Sequence, residues 1–129
     1  MKKQALGYVL LCCSLASSAL QAHHSLAGVY EVKQEAQVTG VLTKVAFTNP
    51  HGAMHLAVTA PDGSITEWVM TTGSANVLAN LGFGASGANN VEAGDTVTIS
   101  YFPARNGKPL GFMRTITLPD ERQIQFEPL

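Results

Sequence analysis

Apolar residues alternate with polar ones at a period of two in several short runs of this chain, a pattern typical of strands with one buried face. The longer runs are Val38 to Phe47, His51 to Thr59, Ile65 to Met70, Thr96 to Tyr101 and about Leu110 to Leu118. A shorter run from Arg122 to Phe126 is a candidate edge strand. The pattern therefore predicts a mostly β domain.

Turn and capping residues divide these runs. The sequence PDGS at positions 61–64 predicts a hairpin between the second and third strands. After the third strand, apolar residues recur at helical spacing between Ala75 and Leu81. Ser74 is the candidate N-cap of this helix, and Gly82 can supply its left-handed stop.

Three strands, a short helix and two more strands is the order of an OB-fold, a five-stranded, partly open barrel. The predicted fold class is therefore all-β: a small OB-fold-like barrel with one short helix between strands 3 and 4. A β-sandwich is the alternative, because strand spacing alone does not separate the two, and the helix favours the barrel. Gly40, inside the first strand, predicts a bend or bulge.

The alternation also assigns side chains to the two faces of each strand. The residues predicted to be buried are Val41, Leu56, Val97 and Ile99, together with Met54 and Met70. His51 and His55 fall on the opposite face of the second strand and are predicted to be accessible.

The N-terminal 22 residues have a different pattern. Lys2 and Lys3 precede an apolar stretch from Ala5 to Leu15, and small residues follow as far as Ala22. This is the layout of a secretory signal peptide, and the apolar stretch is shorter than the roughly 20 residues that span a membrane. We expect export to a bacterial periplasm with no stable membrane anchor after cleavage.

The sequence allows cleavage of the signal peptide at two positions, after Ala19 or after Ala22. The second site divides the chain into a signal peptide (1–22), an N-terminal arm (23–37) and a barrel domain (38–129), and makes His23 the first residue. Both cysteines, Cys12 and Cys13, leave with the signal peptide. The mature chain then has no thiol ligand and no disulfide.

Charge and length limit the function classes. The 107 residues after Ala22 are enough for one domain. They carry six basic and nine acidic side chains, a net charge of −3 with neutral histidine, so no nucleic-acid partner is expected. The acidic residues fall mainly in predicted turns and edges, without a Ser-His-Asp or paired-carboxylate arrangement, so the chain is not predicted to be an enzyme.

Histidine is distributed unevenly. All four histidines lie in the first part of the chain, at His23, His24, His51 and His55. Such clustering suggests a metal or proton site, although solvated surface histidines would give the same pattern.

Several short motifs resemble a family of uncharacterised exported proteobacterial proteins, a domain of unknown function. They are Ala22-His23-His24-Ser25, Thr39-Gly40, Thr48-Asn49-Pro50-His51, Gly73-Ser74, Gly94-Asp95-Thr96-Val97 and Thr117-Leu118-Pro119-Asp120. The resemblance covers the mature chain and implies a site at His23, His24 and His51, but no activity. The chain departs from the family in Phe47, where Trp is expected, and in the glycine-rich loop at 84–90.

The chemistry of these histidines favours copper as the cofactor. An N-terminal histidine offers its amine and its ring nitrogen as a chelating pair, and neutral imidazole suits copper, nickel and zinc. In a regular strand His51 and His55 stand about 13 Å apart, too far to bind one ion together. His51, beside a turn, is the better partner for a flexible arm, and His55 the less favoured one.

Three functional hypotheses follow. The first is a periplasmic copper-binding or copper-handling module that uses His23, His24 and His51. The second is an envelope interaction module that binds a protein, peptide or glycan on the face of strands two and three, with no metal. The third and weakest is a copper redox enzyme with an N-terminal histidine brace, since fold alone supplies no function.

Overall fold

The computed structural model describes residues 26–127. Within this range it contains a helical turn at 26–29, six strands, and one short helix that follows the third strand. The strands and that helix are in the predicted order. The strands are β1 (Ala36–Ala46), β2 (Ala53–Thr59), β3 (Ile65–Thr71), β4 (Thr96–Pro103), β5 (Leu110–Thr117) and β6 (Gln123–Gln125), and the helix is α1 (Ala75–Asn80). Among these residues no helix is long and apolar enough to cross a membrane.

The first five strands close into a barrel. Antiparallel pairing gives the order β3-β2-β1-β4-β5-β6, and a parallel pairing between β3 and β5 joins the two ends of the five-stranded part. That closing contact is short, because it pairs only 69–71 with 110–112. The OB-fold-like barrel with its helix between strands 3 and 4 is confirmed, and the sandwich is excluded.

The barrel interior is filled by apolar side chains from all five strands, with contributions from α1 and the loops. The fully buried ones include Leu42, Met54, Leu56, Met70, Leu78, Val97, Ile99, Met113 and Ile116. Burial of Leu56, Val97 and Ile99 is confirmed, as is the assignment of Met54 and Met70 to the core.

The prediction for Val41 is wrong, since its side chain is 41% exposed whereas Leu42 is 1% exposed. The cause is a bulge against β2 between Leu42 and Lys44. A bulge inserts one residue and shifts the alternation, so Val45 after it packs on the core that Leu42 faces before it. Counting back from Val45 by twos therefore gives the wrong face for Val41.

Gly40 lies close to this bulge and has a role of its own. A Cβ atom at this position would lie 2.8 Å from the carbonyl oxygen of Ala57. The glycine thus permits close approach of β1 and β2, and the irregularity in pairing follows two residues later.

The caps of α1 are as predicted. The Ser74 hydroxyl accepts a hydrogen bond from the Val77 amide at 3.3 Å, and Gly82 has a φ of +82°. The β1–β2 loop packs at the start of the helix, where the Ala75 amide donates to the Thr48 carbonyl and to Asn49 Oδ1, both at 3.1 Å. The loop before β2 is therefore tied to the helix.

The glycine-rich loop at 84–90 is attached to the turn between β5 and β6. Arg122 donates from Nη1 to Asn89 Oδ1 at 2.6 Å and from Nη2 to the Ala88 carbonyl at 3.0 Å. The Asn89 side chain in turn donates to the Leu81 carbonyl at 2.7 Å. We call these contacts, with the Asp120–Arg122 ion pair, the Arg122 clamp.

Candidate functional site on the outer face of the barrel

The four histidines have different positions relative to the barrel. His23 and His24 lie outside the described residues. His51 is exposed in the β1–β2 loop, where its carbonyl accepts a hydrogen bond from the Thr48 hydroxyl at 2.8 Å. His55 lies in the middle of β2 and points away from the core.

The two described histidines are not brought together. Pairing of β2 with β3 is unbroken from Ala53 to Thr59, so no bulge folds this part of the strand back towards His51. Between residues 26 and 127, moreover, no group of three or more His, Cys, Asp or Glu side chains could hold a metal ion.

His55 is the better oriented of the two. Its Nδ1 lies 2.8 Å from Glu67 Oε1, and the two side chains are 25% and 64% exposed. A carboxylate only accepts hydrogen bonds when ionised, so a neutral His55 paired with it carries its proton on Nδ1. The other ring nitrogen, Nε2, then has a free lone pair, and the ring is held in one orientation.

Two rows of outward-facing residues define the surface around His55. The first row runs across paired strands through Lys44, His55, Val69 and Leu110. The second row, on the side towards His51, runs through Ala46, Ala53, Thr71 and Phe112. We call these the His55 row and the Ala53 row.

The N-terminal arm packs on this outer surface. Tyr30 is buried, pairs with Ala104 in an isolated bridge, and lies 5.6 Å from Phe112 between ring centroids. These three residues form an apolar cluster outside the barrel, against which Leu26, Val32, Phe102 and Leu110 pack. We call it the outer cluster. It covers one end of both rows, at Leu110 and Phe112.

Polar contacts fix the arm in the same place. The Tyr30 hydroxyl lies 2.9 Å from Thr71 Oγ1 in the Ala53 row. Arg105 donates from Nη1 to Glu31 Oε2 and from Nε to the Ala27 carbonyl, both at 2.6 Å. The segment from Ala27 to Glu31 is therefore bound to the barrel at both its backbone and its side chains.

Reasoning from the sequence missed this attachment. It treated residues 23–37 as a flexible arm, and it did not use the apolar positions Leu26, Tyr30 and Val32 as evidence that the arm packs. These three apolar residues indicate that the arm packs, because a segment surrounded by solvent does not require apolar side chains.

The same outer face carries exposed apolar residues away from the arm. Ile65 at the start of β3 is 68% exposed, and Val41 in β1 projects on this side as well. Ala57, between them on β2, is half-buried. This part of the surface corresponds to the predicted interaction face of strands two and three.

Comparison with known proteins gives a fold likeness and a family. No curated protein matches the sequence. The chain is similar to a solved structure, the mitochondrial single-stranded DNA binding protein Rim1 of S. cerevisiae, at 14% identity and a TM-score of 0.48, over 66% of this chain and 93% of that one. The model of a family of unknown function, DUF6152, matches residues 9–113, and the chain belongs to this family.

Proposed function

We propose that the chain is exported to the periplasm, and that the mature protein binds one Cu(II) ion through its N-terminal amine, His23 or His24, and one imidazole of the β2 region. The sequence favours His51 for the last ligand. The observation that carries the proposal is the attachment of the arm by Tyr30 to Thr71, at the end of the barrel where β2 begins.

The position of this attachment supports a short reach from the arm to β2. Thr71 is paired with Ala53, which lies midway in sequence between His51 and His55. Paired strands are about 4.8 Å apart, and two extended residues span about 7 Å. Leu26 packs on the outer cluster, and Tyr30 contacts Thr71 of β3, the strand next to β2.

The ligand chemistry favours copper over zinc. An N-terminal amine with two or three imidazoles is a nitrogen-rich set, and Cu(II) binds such sites more tightly than its neighbours in the first transition row. Binding should weaken in acid, since protonated imidazole cannot ligate. The proposal is one of binding or delivery of the ion, with no catalytic step and no nucleic acid.

Intact-mass measurement and calorimetry test the proposal together. The mature protein purified from a periplasmic extract should begin at His23, and it should bind one equivalent of Cu(II) more tightly than Zn(II). The matched control is the same protein with extra residues before His23, which lacks the free histidine amine. Equal Cu(II) affinity with and without those residues would refute the N-terminal chelate.

A second candidate is the envelope interaction module, favoured by the exposure of Val41 and Ile65 on one face. In that case a protein, peptide or glycan of the envelope would cover these residues, and metal would have no part in binding. Replacing Ile65 by Asp should then abolish retention of envelope components by the immobilised protein, while leaving Cu(II) titrations unchanged. Replacing Val77, exposed on α1, by Asp is the control for a charge placed elsewhere.

A further inference from the structure

We propose that the N-terminal arm acts as a strap that keeps the barrel closed between β3 and β5, and that Tyr30 is the residue that fastens it. We call the contact between these two strands, where 69–71 pair with 110–112, the seam. With Tyr30 detached, the seam opens while the other strands stay paired. This role of the arm is independent of metal binding.

The seam is a short pairing within the closed barrel. β2 and β3 pair along the whole of both strands, whereas β5 pairs with only 69–71 of β3. The seam is also parallel, and parallel pairs are slightly less stable per residue than antiparallel ones. Proteins open locally where few bonds hold two elements together. We therefore expect the barrel to open at the seam before it unfolds as a whole.

One side chain of the arm contacts both sides of the seam. The Tyr30 hydroxyl lies 2.9 Å from Thr71 Oγ1 on β3, and the Tyr30 ring centroid lies 5.6 Å from that of Phe112 on β5. Thr71 and Phe112 are themselves paired across the seam. Tyr30 is buried in this position. It therefore joins β3 to β5 at the register where the two strands meet.

The backbone of the arm is held by the other side of the seam, at the end of β4. The Glu31 amide donates to the Pro103 carbonyl at 2.8 Å. The Arg105 amide donates to the Val29 carbonyl at 2.9 Å, and the Arg105 side chain donates to Glu31 Oε2 at 2.6 Å. The arm is thus attached to the β4–β5 hairpin, and the Tyr30 hydroxyl extends that attachment to β3.

An open seam changes the edge of β3. The Val69 amide donates to the Pro109 carbonyl at 3.0 Å, so this amide faces the seam. Glu67 and Ile65, at alternate positions before it, direct their backbone groups to the same side, where no strand of the described part of the chain pairs with them. Opening would extend this free edge as far as Thr71, and a free edge is a template for another strand. A strand that added to β3 beyond Glu67 would have to displace the strap.

Amide hydrogen exchange of the purified protein, resolved by residue with NMR, tests the strap. The reporter is the Val69 amide, which faces β5, and the reference is the Met70 amide, which faces β2. In the parent, Val69 should exchange faster than Met70 and with a weaker dependence on urea, because its opening exposes less surface. Tyr30→Phe removes the hydroxyl that crosses the seam, and should speed exchange at Val69 by about 2- to 10-fold.

Two further variants show whether the contact itself is responsible. Thr71→Val removes the other partner and should give the same increase at Val69, and the double variant should give no additional one, because both changes remove one contact. Thr39→Val is the matched control. It removes a hydroxyl contact of 2.8 Å with Thr98 between β1 and β4, which stay paired when the seam opens, so exchange at Val69 should equal that of the parent.

Three results would overturn the proposal. Equal exchange rates and equal urea dependence at Val69 and Met70 in the parent would mean that the seam opens only when the whole barrel unfolds. An unchanged Val69 rate in Tyr30→Phe would mean that the arm does not hold the seam. An increase in Thr39→Val as large as that in Tyr30→Phe would mean that Val69 reports general stability.

Discussion

The molecule has two apolar clusters that are built in different ways. The barrel interior is formed by alternate residues of five strands, such as Leu56 and Ile99, with contributions from α1 and the loops. The outer cluster is formed by Tyr30, Ala104 and Phe112, together with side chains of the N-terminal arm. The interior thus defines the fold, whereas the outer cluster determines where the arm lies.

Comparing the two clusters shows that side chains on the outer face of a sheet can be buried as well as those that face the core. Phe112 points away from the barrel interior, yet it is buried because Tyr30 covers it. An aromatic residue at an outward position therefore indicates a covering segment rather than a mistake in register. In this chain the segment is the one that leads to the predicted metal ligands.

The largest effect is expected in the interior. Leu56→Ala should reduce the free energy of unfolding by about 2 to 5 kcal/mol, because the side chain is fully buried and its removal leaves a cavity. Chemical denaturation measures this loss. His55→Ala, one residue away on the outer face, is the control and should change stability much less; similar losses in both would contradict the assignment of faces.

The bulge in β1 gives the second prediction. Leu42→Ala should cost about 2 to 5 kcal/mol, and Val41→Ala less than about 0.5 kcal/mol, because only Leu42 faces the core. Denaturation midpoints of the two single variants show which of the two side chains faces the core. A larger loss in the Val41 variant would mean that β1 continues without a bulge.

Alternation and turn chemistry were sufficient to predict the strands, the helix and the barrel. They failed at Val41 because the position of a bulge depends on how β1 pairs with β2. Gly40 indicated a bend or bulge in this strand, but not that the pairing shifts between Leu42 and Lys44. They also missed the packing of Tyr30, since the apolar positions Leu26, Tyr30 and Val32 do not follow one strand or helix period. The hydrogen bond between His55 and Glu67 joins neighbouring strands diagonally and depends on a register that the sequence does not display.

The outer cluster gives a smaller effect on stability. Tyr30→Phe removes the hydroxyl that contacts Thr71 but keeps the ring against Phe112, so the loss should be about 0.5 to 1.5 kcal/mol. Limited proteolysis before Ala36 should become faster, because the arm loses one of its attachments. Thr71→Val should give a similar result, and the double variant should be no worse than the sum. Unchanged proteolysis in Tyr30→Phe would mean that the contact between the Tyr30 hydroxyl and Thr71 does not help to hold the arm.

The smallest effect is expected where polar contacts alone join two segments, at the Arg122 clamp. Hydrogen bonds from Arg122 hold the pKa of Asp120 below its usual value, so the ionised carboxylate favours the folded state. This contribution is present above the unfolded pKa and is lost as the pH falls through the lower folded one. Because both side chains are more than half exposed, the effect should be small.

Thermal unfolding as a function of pH measures this contribution. Asp120→Asn should have a slightly lower Tm than the parent at pH 6 to 7, and the difference should shrink below the ordinary carboxyl pKa of 3.8, where the parent also becomes protonated. Glu121→Gln removes a neighbouring carboxylate outside the clamp and should follow the parent at every pH. If the Tm difference between the parent and Asp120→Asn persisted at pH 2, it would have to come from packing of the side chain rather than from its charge. The Arg122 clamp would then stabilise the fold by packing, as the two apolar clusters do.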